Sequence, residues 1–149
     1  WACGSNGSIL FSSNSGINWV SQSSGVSELL RKNYFLNNSE GWTVGDQGTI
    51  IRTTNGGTSW STQVSGTSNS LFDVYFVNSQ TGWVVGSNRT LLRTTNGGTT
   101  WTSINVSIFD PVVSLRAIFF RSTTNGWLVT QGGRLARTTD GGLNWTDVT

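Results

Sequence analysis

All eight tryptophans of this 149-residue chain fall at two recurring positions. Trp1, Trp42, Trp83 and Trp127 lead four stretches spaced 41, 41 and 44 residues apart, and each is followed 18 positions later by Trp19, Trp60, Trp101 or Trp145. A third mark stands seven residues before the leading Trp: Phe35, Phe76 and Phe120. The first copy has no such mark, because the chain begins at Trp1. Self-similarity at such a period implies one supersecondary unit per copy, each burying its apolar faces against its neighbours. The extra three residues of the last copy lie between Trp101 and Phe120, near the single proline, Pro111. That is where a connecting loop tolerates insertion.

Each full copy reads as four short strands. In the third copy the enrichment in Val, Phe, Trp and Thr places them at 71–77, 82–86, 90–94 and 100–106. Helix finds no place, since Gly, Asn and β-branched residues interrupt every candidate window. Four-stranded units of some 40 residues are the signature of a β-propeller. The expected fold is therefore all-β. A single repeat array of antiparallel blades runs over 1–149: a partial blade at 1–23 lacking its first strand, then full blades at 29–65, 70–107 and 114–149.

Before each second Trp stands a compact motif, Ser/Thr, any residue, Asp/Asn, any, Gly, any, any, Trp. Its members are Asn14, Gly16 and Trp19; Asn55, Gly57 and Trp60; Asn96, Gly98 and Trp101; Asp140, Gly142 and Trp145. A short Asp or Asn side chain accepts hydrogen bonds from its own turn, and the Gly adopts a backbone conformation closed to most residues. The Trp is expected to anchor the turn in the blade core. The pattern resembles the Asp box, or bacterial neuraminidase repeat, and its expected role is structural. The longer stretch Gly48–Trp60, with the preceding Gly-Trp and Val-Gly pairs, is most similar to the photosystem II assembly factor family. That resemblance implies a non-catalytic scaffold on a propeller that in the family generally has seven blades.

Chemistry finds little to work with. Histidine is absent and Cys3 stands alone, which excludes Ser–His catalysis and leaves no expected metal site or cofactor. Cys3 takes the repeat position of Val44, Val85 and Val129 and is expected as a small buried side chain. Sialidases also carry Asp boxes, but the only tyrosines, Tyr34 and Tyr75, share one repeat position that predicts core packing, and the only glutamates are Glu28 and Glu40. A glycosidase is the last-ranked reading, because two positioned carboxylates are required.

The arginines are the functional lead. Arg52, Arg93 and Arg137 share one repeat position, with Phe11 in the first copy, and would form an arc of positive charge extended by Arg89, Arg134, Arg116 and Arg121. In the resembled family, arginine-rich propeller surfaces are associated with partner docking. The alternative is that each Arg lies over its own blade and bonds a neighbouring carbonyl. The net charge of +2, with no basic run beyond Arg31–Lys32, speaks against nucleic acid. No segment is long and apolar enough to cross a membrane as a helix. The Ser-, Thr- and Asn-rich composition suggests an extracellular or cell-surface setting, with the periplasm or thylakoid lumen as the alternative. Five sequons, at Asn6, Asn37, Asn88, Asn105 and Asn144, are possible glycosylation sites. The expected function is a protein-interaction scaffold whose partner is another protein or further copies of the chain. A carbohydrate- or small-ligand-binding module is the alternative.

Overall fold

A computed structural model describes residues 1–149. Fifteen strands form four antiparallel sheets, and the one helical element is a 3-10 turn at Asp46–Gly48. The first sheet has three strands, β1 (Ala2–Cys3), β2 (Ile9–Phe11) and β3 (Val20–Gln22). The second holds β4 (Leu30–Phe35), β5 (Gly41–Gly45), β6 (Ile50–Thr53) and β7 (Ser61–Gln63). The third holds β8 (Leu71–Phe76), β9 (Gly82–Gly86), β10 (Leu91–Thr94) and β11 (Thr102–Ser103). The fourth holds β12 (Leu115–Phe120), β13 (Gly126–Thr130), β14 (Leu135–Thr138) and β15 (Thr146–Asp147). These are three whole propeller blades and one without its first strand.

The first strands β4, β8 and β12 lie side by side along the inner edge of the stack. The last strand of each blade is short. The expected strand at 100–106 is only Thr102–Ser103, because the Asp-box turn runs through Trp101 and the chain leaves after one further bond, Ile104 N–H to the Leu91 carbonyl.

The core consists of the seams between successive sheets. Strand alternation sends Trp42, Val44 and Ile50 to one face of the second sheet, where they meet Leu71, Val74, Phe76, Val84 and Leu92 of the third. Trp83, Val85 and Leu91 meet Leu115, Ile118, Phe120, Leu128 and Ala136 of the fourth in the same way. The two Trp–Phe register marks join across each seam. Trp1 stacks on Phe35 at 3.6 Å, Trp42 on Phe76 at 3.6 Å and Trp83 on Phe120 at 3.5 Å. Each Phe then receives the second Trp of its own blade edge-on: Trp60, Trp101 and Trp145. Such pairs add to the area they bury.

Two expectations need correcting, and a third, that Tyr34 and Tyr75 pack on the core, holds with both rings half-buried. Trp19 is 46% exposed rather than anchored, because the first sheet lacks the strand that would carry its Phe. Cys3 is half-buried, since β1 has no inner neighbour; burial still pushes its thiol pKa up. Tyr34 and Tyr75 are half-buried and, with Phe119, form a ladder at 5.1 Å spacings along the inner strands, Tyr34 donating to the Phe76 carbonyl at 2.8 Å.

Candidate functional site

The four Asp-box turns are built from the same bonds. In the second blade the Thr53 hydroxyl accepts from the N–H groups of Asn55 (3.3 Å) and Gly57 (2.8 Å) and donates to Asn55 Oδ1 at 3.0 Å. Asn55 Oδ1 in turn accepts from Ser59 N–H at 2.9 Å. Ser12–Asn18, Thr94–Thr100 and Thr138–Asn144 repeat the pattern. The second, third and fourth turns also each close a seam. Trp42 Nε1–H donates to the Gly97 carbonyl of the next blade at 3.2 Å, and Trp83 to Gly141 at 2.9 Å. Gln22 and Gln63 reach across in the same way to the Gly56 and Gly97 carbonyls, both at 3.2 Å.

Only the last of these turns ionises. The Asn144 N–H above all, with the Asn144 and Thr138 side chains, holds the Asp140 carboxyl down to about 2. A carboxyl whose folded pKa lies below its unfolded value, about 4, stabilises the fold at higher pH. That contribution falls away as pH drops through the folded pKa. Asp140→Asn gives the turn the residue used in the other three, so the difference in Tm between wild type and variant should narrow or reverse from pH 5 down to about pH 2. Parallel Tm curves over that range would show that the charge contributes nothing.

The arginines divide into two groups. Arg52 lies in the row Tyr34, Trp42, Arg52, Ser61 across the second sheet, half-buried, 5.3 Å above the Trp42 ring and 3.1 Å from Glu40. Its guanidinium fills the space left by a glycine of the next blade: a Cβ built on Gly97 would come within 3.1 Å of Arg52 Nη1. Arg93 stands likewise against Gly141, at 3.4 Å. Arg137, at the same position of the fourth sheet, is exposed and shares a cleft of about 510 Å³ with Arg121 and Trp127. The three therefore occupy two seams and one open face. Arg89, at φ 54, donates to the Phe109 carbonyl at 2.6 Å, and Arg134 pairs with Asp147.

For the second group, the sequence named Arg116 only as an extension of the arc, and did not group it with Arg31 and Phe72. The inner strands each carry a β-bulge, between Leu30 and Lys32, Leu71 and Asp73, and Leu115 and Ala117. The residues at these bulges are Arg31, Phe72 and Arg116. Bulges re-aim side chains, and here they bring three blades together: Arg31 lies 5.3 Å and Arg116 4.3 Å from the Phe72 ring centroid. Asp46 holds Arg31 through two bonds of 2.5 and 2.9 Å, an ion pair that depresses the Asp46 pKa and raises that of Arg31. Gln131 Oε1 accepts from Arg116 at 2.8 Å. Lys32 stands beside them, 3.8 Å from Asp73. Burial raises the Asp73 pKa, while its carboxylate ties two blades by accepting from Val74 N–H at 3.0 Å and Ile118 N–H at 2.9 Å.

The largest cleft, about 1320 Å³, lies over the first two blades and is lined mostly by Ser, Thr, Gly and Gln, with Asn6, Val26, Glu28 and Val64 and no aromatic ring on which a sugar could stack. The five sequon asparagines are all exposed; Asn37, Asn88 and Asn144 already spend their side-chain amides on Glu40, Asn69 and Asp140.

Residues 56–149 match the family model of the photosynthesis system II assembly factor YCF48. The chain belongs to this family. The seam bonds and the turns recur through the matched part, which holds two complete blades and most of an Asp-box turn. A solved structure described as YCF48 bound to D1 peptide is 30% identical and superposes with a TM-score of 0.73 over 81% of the chain. YCF48 from Cyanidioschyzon merolae is 26% identical, with a TM-score of 0.71 over 80%. In each case the matched part spans 39% of the relative's own length. An ancestral GH74 enzyme, 18% identical over 91% of the chain and 20% of its own, with a TM-score of 0.73, shares the fold alone. No curated protein matches the chain.

Proposed function

We propose that the chain is a non-catalytic, peptide-binding part of a photosystem II assembly scaffold, acting outside the cytosol in the periplasm or thylakoid lumen. The observation that carries this reading is the 30%-identical family structure with a D1 peptide bound. Five of the seven acidic side chains support it, because they serve the fold rather than a reaction: Asp46, Glu40 and Asp147 pair with Arg31, Arg52 and Arg134, Asp73 bonds backbone N–H groups, and Asp140 closes its own turn.

The bulge cluster is our candidate contact for the peptide, ahead of the arginines at the seams. Arg31 and Arg116 are exposed and flank an aromatic ring, which suits a segment carrying both carboxylate and apolar groups. Arg52 and Arg93 are half-buried against the next blade. Calorimetric titration with a synthetic D1 peptide tests the reading. Wild type should bind, and the double variant Arg31→Gln, Arg116→Gln should bind at least about tenfold more weakly, the loss of about 1.4 kcal/mol expected when charge-assisted contacts go. Equal binding by the variant would reject the cluster; no binding by wild type would reject the peptide reading.

A further inference from the structure

The chain has two tyrosines, and their rings touch. Tyr34 and Tyr75 hold the same position on the inner strands of the second and third sheets, opposite Trp42 and Trp83. Their ring centroids lie 5.1 Å apart, with the planes at 51°. That is inside the range of about 4.5–7 Å over which aromatic rings are in contact. The Tyr34 hydroxyl crosses to the third sheet, donating at 2.8 Å to the carbonyl of Phe76, the residue after Tyr75. Each ring is also held by a core. Tyr34 packs on the seam between the second and third sheets, and Tyr75 on the seam between the third and fourth. Both sheets are four-stranded and lie inside the stack, with a sheet on either side.

Two phenols fixed ring against ring are the reactants of an oxidative coupling. Each loses one electron to a one-electron oxidant and its phenolic proton to water, which leaves two tyrosyl radicals. The radicals pair in a new carbon–carbon bond between ring carbons adjacent to the oxygen-bearing ones. Each of those carbons then gives up its hydrogen, which returns to oxygen. The chain has lost two electrons and two protons and gained one cross-link. Holding the partners in place turns an encounter between radicals into a unimolecular step. Burial, and after it the neighbouring Tyr75 phenol, keep the Tyr34 pKa above its ordinary value, so its proton leaves with the electron rather than before it. The next ring along the row, Phe119, stands 5.1 Å beyond Tyr75 but has no phenol, so one link can form.

We propose that Tyr34 and Tyr75 are an oxidative cross-linking site, at which a one-electron oxidant joins the second and third sheets through a dityrosine bond. The bond makes one seam of the stack covalent in a chain whose single cysteine, Cys3, has no second thiol with which to form an internal disulfide. The site uses neither Arg31 nor Arg116 and is independent of peptide binding.

Photo-oxidation of the folded 149-residue chain tests it, with a ruthenium trisbipyridyl complex and persulfate, which takes up the two electrons as two sulfates. Wild type should give a monomer lighter by two hydrogens, and digestion should release one cross-linked pair of peptides carrying Tyr34 and Tyr75. Moving a phenol along the row separates adjacency from the mere presence of two tyrosines. Tyr34→Phe combined with Phe119→Tyr leaves two phenols on adjacent inner strands, at the 5.1 Å ring spacing, and should link Tyr75 to position 119. Tyr75→Phe combined with Phe119→Tyr leaves a phenyl ring between the two phenols and should give no link within the chain. Both double variants exchange rings of like size and are checked for native circular dichroism. No link in wild type, links only between chains, no link in the first double variant or a link in the second would each overturn the proposal.

Discussion

Trp83→Ala should lower the unfolding free energy by about 3–5 kcal/mol, the range for deleting a fully buried large aromatic. The indole is wholly buried, lies 3.5 Å from and nearly parallel to the Phe120 ring, and donates to the Gly141 carbonyl. Truncation therefore leaves a cavity, removes a stacking partner and strands a buried carbonyl at the seam between the third and fourth sheets. Trp127 holds the same repeat position but faces outward with no blade against it. Trp127→Ala should cost no more than about 1 kcal/mol. Midpoints of guanidinium denaturation for the two variants check the contrast. If both variants lose the same stability, the seam is not where the Trp position acts, and sheet-internal contacts of the indole carry its effect.

That contrast also marks how far the sequence could be read. Spacing placed every Trp, and Phe35, Phe76 and Phe120, within its copy, and from that followed strands, sheets, the missing first strand and the turn chemistry. Spacing could not say that Trp42 stacks on Phe76 rather than on Phe35, because a periodic mark locates a residue in its own copy and not in the copy it touches. Arg52 and Arg93 suffered from the same blindness. Repetition suggested an arc of charge, whereas each guanidinium lies in the space left by the first of two glycines in the next blade's turn. Those paired glycines were legible only as a turn. The first also lies against a neighbouring side chain: a Cβ on Gly97 would press to 3.1 Å on Arg52, and one on Gly141 would touch Arg93 at 3.4 Å. Arg116 was legible only as one more arginine of the arc, and nothing joined it to Arg31 and Phe72. Their cluster depends on a bulge in each inner strand, and neither Arg, Phe nor Arg at one repeat position announces a common site.

Gly48→Ala should be as damaging as the loss of a seam tryptophan, although it adds a single methyl group. Gly48 has φ +69, where a side chain costs about 1–2 kcal/mol in the left-handed region. A Cβ there would also overlap the backbone carbonyl oxygen of Thr67. That linker cannot yield freely, since Gly48 N–H donates to the Asn69 carbonyl at 2.9 Å and the Ser65 hydroxyl donates to the Thr67 carbonyl at 3.2 Å. Forcing it aside adds about 1–3 kcal/mol of overpacking, for a total of about 2–5 kcal/mol. Gly66 provides the control within the same linker. Its φ is +75, yet a Cβ would meet nothing within 4 Å. Gly66→Ala should therefore show the conformational cost alone, about 1–2 kcal/mol. Thermal unfolding of the two variants separates steric from conformational cost. Equal losses would mean that the linker gives way to the methyl group, and that the hydrogen bonds from Gly48 and Ser65 do not hold it against the turn.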